Sequence, residues 1–202
     1  MAKNNFTYQT IASETVAEYS DRGSKFMAYS FAVETADEIK SKIKKLKELH
    51  PKAVHHCYAY RLGFDNTQYR ANDDGEPSGS AGRPILGQID SMQITNVLVV
   101  VVRYFGGVLL GVPGLINAYK SVAQMALSQT VIVEKNRMQY YHLKFDYTQM
   151  NDVMRIIKFH NCEIKSQSLT LFCEMNIGIA LAEQETVAGK FQNINGVDLT
   201  EI

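Results

Sequence analysis

Six consecutive aliphatic side chains, Val97 to Val102, lie between Asn96 and Arg103. A strand sends successive side chains to opposite faces, so a run apolar on both faces belongs at the centre of a sheet covered on both sides. The run is far too short to cross a bilayer, which takes about 20 residues as a helix. The chain must therefore cover both faces of that strand. Its 202 residues suit one large domain or two small ones. With 46% hydrophobic and 21% charged residues, disorder, collagen-like repeats and coiled coil are excluded. Lys and Arg number 21 against 21 Asp and Glu, which argues against a strongly basic nucleic-acid binder. Cys57, Cys162 and Cys173 are too scattered for a disulfide framework or a CxxC metal site. The N-terminal stretch lacks the apolar core of a secretory signal, and a cytoplasmic protein without membrane attachment is expected.

Residues 6–33 are rich in Thr, Val, Tyr and Phe, with a turn signal at Asp21-Arg22-Gly23-Ser24, and read as three strands. Ile39, Ile43, Leu46 and Leu49 then recur at helical spacing. Thr35 stands as N-cap with Glu38 three residues on, and Pro51 follows the end. The other face carries Lys40, Lys42, Lys44, Lys45 and Lys47, a solvated face or a contact for RNA or an acidic partner, with no aromatic interleaving to stack on bases. A strand is expected over 53–62 and a short one near Gln68-Tyr69-Arg70. Helices are expected through Ile85, Leu86, Ile89 and Met92 and from Leu115 to about Gln129, the latter with Pro113 fitting its first turn. Beyond a polar stretch at 134–137 the pattern reads strand 139–145, helix 149–159, strands 163–168 and 170–179, helix 183–191 and strand 197–202. That order, βαββαβ, is ferredoxin-like. A domain boundary is thus expected near 135, giving residues 1–134 and 135–202. The first part has 14 basic and 13 acidic residues and the second 7 and 8, so neither hides a strong charge.

The stretch from Asp73 to Pro84 is the most unusual. Gly75, Gly79 and Gly82 free the backbone, and amides ahead of a helix make an anion site, to which Arg83 adds a charge. The alternative is a structured loop in which Asp and Ser cap local amides. No Walker lysine is present, so a P-loop is excluded, and Asp73, Asp74 and Glu76 lack EF-hand spacing, so no metal site is expected. His55 and His56 point to opposite faces of their strand, whereas Cys57 shares a face with His55, a weak hint of a thiol–imidazole pair. Arg103, directly after the apolar run, is either a cleft charge or the end of burial. Gly106 and Gly107 open the next loop without a GxGxxG fingerprint.

Asp74-Gly-Glu-Pro-Ser-Gly-Ser-Ala-Gly-Arg-Pro84, Asn96 to Gly107 and Ala118-Tyr119 together resemble the IMPACT/YigZ family, as do Arg22-Gly-Ser-Lys-Phe26 and His55-His-Cys-Tyr-Ala-Tyr-Arg61. The resemblance implies an α+β protein. Its first domain would be similar to the second domain of a small-subunit ribosomal protein and to domain IV of elongation factor G, and its second to that factor's ferredoxin-like domain V. Eukaryotic relatives restrain amino-acid-starvation signalling, while bacterial members have no settled activity. Relatives carry Lys, Gly and Arg where this chain has Leu109, Pro113 and Asn117, so two positive charges are missing beside the glycine loop. That weakens a nucleic-acid role and favours a protein partner. The expectation is a non-enzymatic translation-associated regulator binding ribosome, RNA or a translation factor, without cofactor, metal or catalytic residues. Its cleft would be lined by His56, Arg61, Asp74, Glu76, Ser78, Arg83, Arg103 and Tyr119, with a backbone anion loop at Gly75, Gly79, Gly82, Gly106 and Gly107. Two alternatives stand: a small-molecule or anion binder, or enzyme, using Arg83 and Arg103, and a protein-interaction module.

Overall fold

Val97–Tyr104 is the middle strand of a five-stranded sheet. The computed structural model describes residues 6–65 and 67–202. The chain opens with β1 (Thr7–Ile11), β2 (Thr15–Asp21), β3 (Ser24–Ala32) and helix α1 (Ala36–Leu49). Next come β4 (His55–Leu62), β5 (Gln68–Asn72), α2 (Gly82–Ser91), β6 (Val97–Tyr104), α3 (Gly111–Ser128) and β7 (Ile132–Asn136). The sheet runs β2-β3-β6-β4-β5 with every pair antiparallel, and β1 pairs with β7.

Alternation along β6 assigns its two faces. Val97, Val99 and Val101 join Phe26, Ala28, Cys57 and Ala59 under α2 and α3, against Ile85, Ile89, Val122 and Ala126. Leu98 and Val100 face the other way, with Phe31 and Leu62, against Ile39 and Leu46 of α1. Each fully buried Val or Leu contributes roughly 1.5–3 kcal/mol of transfer free energy, and every aliphatic residue of the run is buried. The sandwiched strand is what the apolar run demanded. Helix α1 starts at Thr35, whose hydroxyl accepts from the Glu38 amide at 3.2 Å, while the Glu38 carboxylate accepts from Glu34 N–H at 2.7 Å.

Two elements differ from expectation. Helix α3 begins at Gly111, so Pro113 sits third in the helix, where its missing N–H has no intrahelical acceptor to lose. The polar stretch expected as a connection includes β7, which finds its hydrogen bonds on β1.

The chain divides into two compact units, Tyr8–Lys135 and a second formed by Asn136–Ile202 with Phe6 and Thr7. The second holds β8 (Met138–Asp146), α4 (Met150–Phe159), β9 (Glu163–Leu169), β10 (Phe172–Ala180), α5 (Gln184–Gln192) and β11 (Val197–Glu201), with short 3-10 turns before α4 and α5. Its antiparallel order, β11-β8-β10-β9, is the ferredoxin-like arrangement. Leu143, Phe145, Met175 and Ile177 pack against Val153, Ile157, Val187 and Phe191. The molecule is of the α+β class. No helix among the described residues is long and apolar enough to cross a membrane.

Candidate functional site

The 72–84 loop is organised by one carboxylate. Asp73 accepts backbone N–H bonds from Gly79 at 2.8 Å, Ala81 at 3.0 Å and Gly82 at 2.8 Å. Burial pushes its carboxyl pKa up, but those amides, with the Arg83 charge behind them, outweigh it and hold the group below the usual carboxylate range. The anion at the N-terminus of α2 is therefore the chain's own. The Gly79 and Gly82 amides, expected to cradle an external anion, are occupied from within, and Ser80 completes the loop by donating to Pro77 O at 2.6 Å. A Cβ on Gly82 would stand 2.5 Å from the Asn72 amide nitrogen, which explains why glycine stands where the loop enters the helix.

That loop delivers Glu76 into the sheet's α2/α3 face. Its Oε1 accepts from Arg103 Nη1 at 2.6 Å and from the Tyr119 hydroxyl at 2.7 Å, and His55 Nε2 lies 3.9 Å away. The Arg103 and Glu76 side chains are only 6% and 3% exposed, and Tyr119 is fully buried. Arg103 also donates to Ser24 Oγ at 3.4 Å and lies against the rings of Phe26 and Phe105. Cys57 Sγ lies 3.0 Å from Asp73 O, to which its single proton can be donated, and 3.3 Å from Tyr119 Oη. Burial drives both the Cys57 thiol and the Tyr119 hydroxyl well above their ordinary values. A thiol held protonated is no nucleophile, and the hint of a thiol–imidazole pair fails on that ground.

Ser24 also fixes the loop beyond β6. Its Oγ accepts from Gly106 N–H at 3.2 Å, and the Gly106 backbone presses on the β2–β3 turn. A Cβ at Gly106 would come within 1.9 Å of the Gly23 carbonyl carbon. The Arg22-Gly23-Ser24 and Gly106-Gly107 motifs, more than 80 residues apart, are two halves of one backbone contact.

Of the expected cleft residues, Glu76, Arg103 and Tyr119 converge, with Asp74 adjoining, but their charges are buried and answer one another. His56 is a correction. It points to the α1 face, where burial lowers its pKa, and its backbone N–H donates to Asp74 Oδ2 at 2.7 Å. His55, left out of the cleft set, is the histidine beside Glu76. Its Nδ1 donates to Asp74 O at 2.8 Å, which leaves Nε2 directed at the cluster. The signal available in the sequence was the shared face of positions 55 and 57. Arg61 is also elsewhere. It pairs with Asp90 at the opposite end of β4, six residues or roughly 20 Å from His55. Ser78, Gly75 and Arg83 are exposed, and so is Gly107. The sheet's antiparallel order also removes the reason for seeking a ligand at the carboxyl end of β6, since that rule belongs to parallel sheets with helix N-termini gathered along one edge.

Beyond Arg103 a series of apolar side chains faces solvent. Phe105, Val108, Leu109, Val112 and Ile116 are exposed in sequence along the loop and first turns of α3, with Leu109 82% exposed. At the start of this ridge the Phe105 ring lies against the buried Arg103, 5.6 Å from the guanidinium carbon to the ring centroid. Among the described residues no three His, Cys, Asp or Glu side chains gather as metal ligands.

The family profile described as the Impact N-terminal domain matches residues 22–127, the segment that holds every residue of this cluster. An IMPACT family member from Haemophilus influenzae is 34% identical over 175 residues, covering 86% of this chain and 85% of that one. The IMPACT family member YvyE of Bacillus subtilis is 36% identical over 147 residues (73% and 68%), and YigZ of Escherichia coli is 30% identical over 171 (84% and 82%). A crystal structure described as that of a hypothetical protein superposes with a TM-score of 0.76 at 26% identity, covering 98% of both chains. With the profile spanning more than half of the chain and relatives of 30–36% identity matched over 68–85% of their length, the chain belongs to the IMPACT family.

Proposed function

We propose that this protein is a cytoplasmic, non-enzymatic regulator of translation that docks a protein of the translation machinery on the ridge formed by Phe105, Val108, Leu109, Val112 and Ile116. The translation setting comes from the family resemblance, and the ridge is the observation that carries the mode of binding. Five large apolar side chains exposed within twelve residues are more than scattered surface residues, and such patches mark interaction surfaces. Leu109 offers nothing to a phosphate, whereas apolar and aromatic side chains form the buried centres of protein interfaces. Phe105 rests on the buried Arg103, and a side chain already placed in this way loses less freedom on binding. The small-molecule alternative built on Arg103 loses its main cation, because that guanidinium faces Glu76.

Ribosome co-sedimentation with and without ribonuclease, beside pull-down from ribosome-free lysate, tests the reading. A variant carrying Leu109→Asp and Val112→Asp is expected to lose the partner while keeping the wild-type urea midpoint, since both side chains are exposed. If the variant binds as well as the wild type, the ridge is not the interface. Association that vanishes with ribonuclease and at high salt would favour the RNA reading instead.

A further inference from the structure

We propose that the groove between α4 and α5 is a binding site for a small organic monoanion, a carboxylate carried on an aromatic or other apolar body. This stands apart from the ridge and from the translation reading. The groove has a volume of about 480 Å³, within the range of small-molecule sites, which are mostly apolar with a few convergent polar groups. Ile156, Phe159 and Ile194 supply the apolar wall, and His160, Lys190 and Asn193 supply the polar edge.

The decisive group is Lys190. Its ammonium donates to His160 Nε2 at 2.8 Å and lies over the Phe159 ring, 5.5 Å from the centroid. An ammonium only donates, so Nε2 is the bare nitrogen of a neutral imidazole. The proton is then on Nδ1, which donates to Glu183 Oε2 at 3.0 Å. The imidazole is only 12% exposed and links the exposed Lys190 to Glu183 on its far side. The direct partners of the Lys190 ammonium are thus a neutral ring and an aromatic face. Among the described residues no carboxylate pairs with it. The other cation at the groove, Arg155, already pairs with Asp152 at 3.0 Å on the open surface.

Phe159 explains the body of the ligand. It is 76% exposed, a large apolar ring left in water beside a charge. An apolar group laid against it would bury that surface and pair ring with ring. The charge of the ligand is bounded by the helices. Both α4 and α5 end at this groove, and their last carbonyls carry negative partial charge. That potential works against any anion and most against a dianionic phosphate or a polyphosphate, so the ligand is held to the single negative charge that Lys190 can answer.

The test uses the full-length protein in a two-dimensional amide NMR titration, with phenylacetate and indole-3-acetate as probes and acetate, indole and phenyl phosphate as comparisons. The aromatic acids are expected to shift amides of residues 155–160 and 190–194 saturably, with a Kd near 1 mM, about 4 kcal/mol of binding. Acetate or indole alone is expected to bind at least about tenfold more weakly, because each keeps only half of the recognition. Lys190→Gln and Phe159→Ser should each weaken the aromatic acids about fivefold or more, with the amide spectrum elsewhere unchanged as proof of folding. Absence of saturable shifts, or a Kd that Lys190→Gln leaves unaltered, overturns the site. Tighter binding of phenyl phosphate than of phenylacetate overturns the choice of a carboxylate.

Discussion

Replacing Glu76 by Gln keeps the size and the acceptor oxygen that Tyr119 uses, but deletes the charge that answers Arg103. The pair is closed by a 2.6 Å hydrogen bond, and both side chains are under a tenth exposed. Removing one partner of such a pair leaves a guanidinium in the interior without its counter-charge, which costs about 3–5 kcal/mol. For a unit of this size that is a fall of roughly 12–20 °C in melting temperature, taking about 4 °C per kcal/mol. Adding Arg103→Met removes the stranded charge, so the double variant should recover much of the loss, with a coupling energy of about 2 kcal/mol or more. Urea unfolding followed by mass-spectrometric labelling of Cys57 reports on this unit alone, because Cys162 and Cys173 belong to the other. Raising ionic strength should change little, since a pair this deep is poorly screened. A loss below about 1 kcal/mol for Glu76→Gln, or single effects that simply add, would refute the view that this pair anchors the glycine loops.

The glycines divide by what a methyl group would meet. Gly106→Ala drives a Cβ into the Gly23 backbone and is expected to cost at least about 3 kcal/mol, whereas Gly87→Ala in α2 meets nothing within 4 Å and should stabilise by about 1 kcal/mol, both read from urea midpoints. Asp73 has a depressed carboxyl pKa in the fold, so its contribution is present above its ordinary value of 3.8 and is lost as pH falls through the lower folded value. Asp73→Asn should therefore cost about 1–3 kcal/mol near neutrality, and the gap between the two urea midpoints should narrow as pH falls below 3.8. The three cysteines are free and buried, burial pushing the Cys57 thiol up and that of Cys162 to about 11. Ellman's reagent near pH 7.5 should find no fast thiol until the protein is unfolded, and a fast-reacting Cys57 would contradict its placement.

How much of this was legible in the sequence depends on the range over which each signal acts. The central strand was readable because an apolar run has one stable place in a layered fold. Helix α1 was readable because Thr35, Glu38 and the Ile39–Leu46 spacing are local. The βαββαβ order of the second unit was readable because each element carries its own period. The start of α3 was not, since Gly111, Val112, Pro113 and Gly114 have loop propensities that the packing of Leu115 and Ala118 overrides. β7 was not, since Glu134, Lys135 and Asn136 are exposed in a two-stranded pairing that asks little of their side chains.

The site shows the same limit more sharply. Alternation states that His55 and His56 face opposite ways, but which face receives Glu76 depends on a loop that enters 20 residues later. The composition of that loop was open to two readings, an anion site and a loop capped from within, and the convergence of three amides on Asp73 is the second. It could not announce that the carboxylate would be Asp73, because local capping and ligand binding ask for the same amides. Arg103 was ambiguous for a related reason. An arginine at the end of an apolar strand reads alike whether it meets water or a buried partner, and only the return of Glu76 and Tyr119 from two other elements decides between them. Once those buried groups have satisfied one another, the exposed chemistry of this unit passes to what the sequence marked as departures from its relatives. Leu109 stands in water three residues beyond Gly106, whose backbone is packed against Gly23. The polar cluster is closed on itself and touches the apolar ridge through Phe105, and the proposed function rests on that ridge.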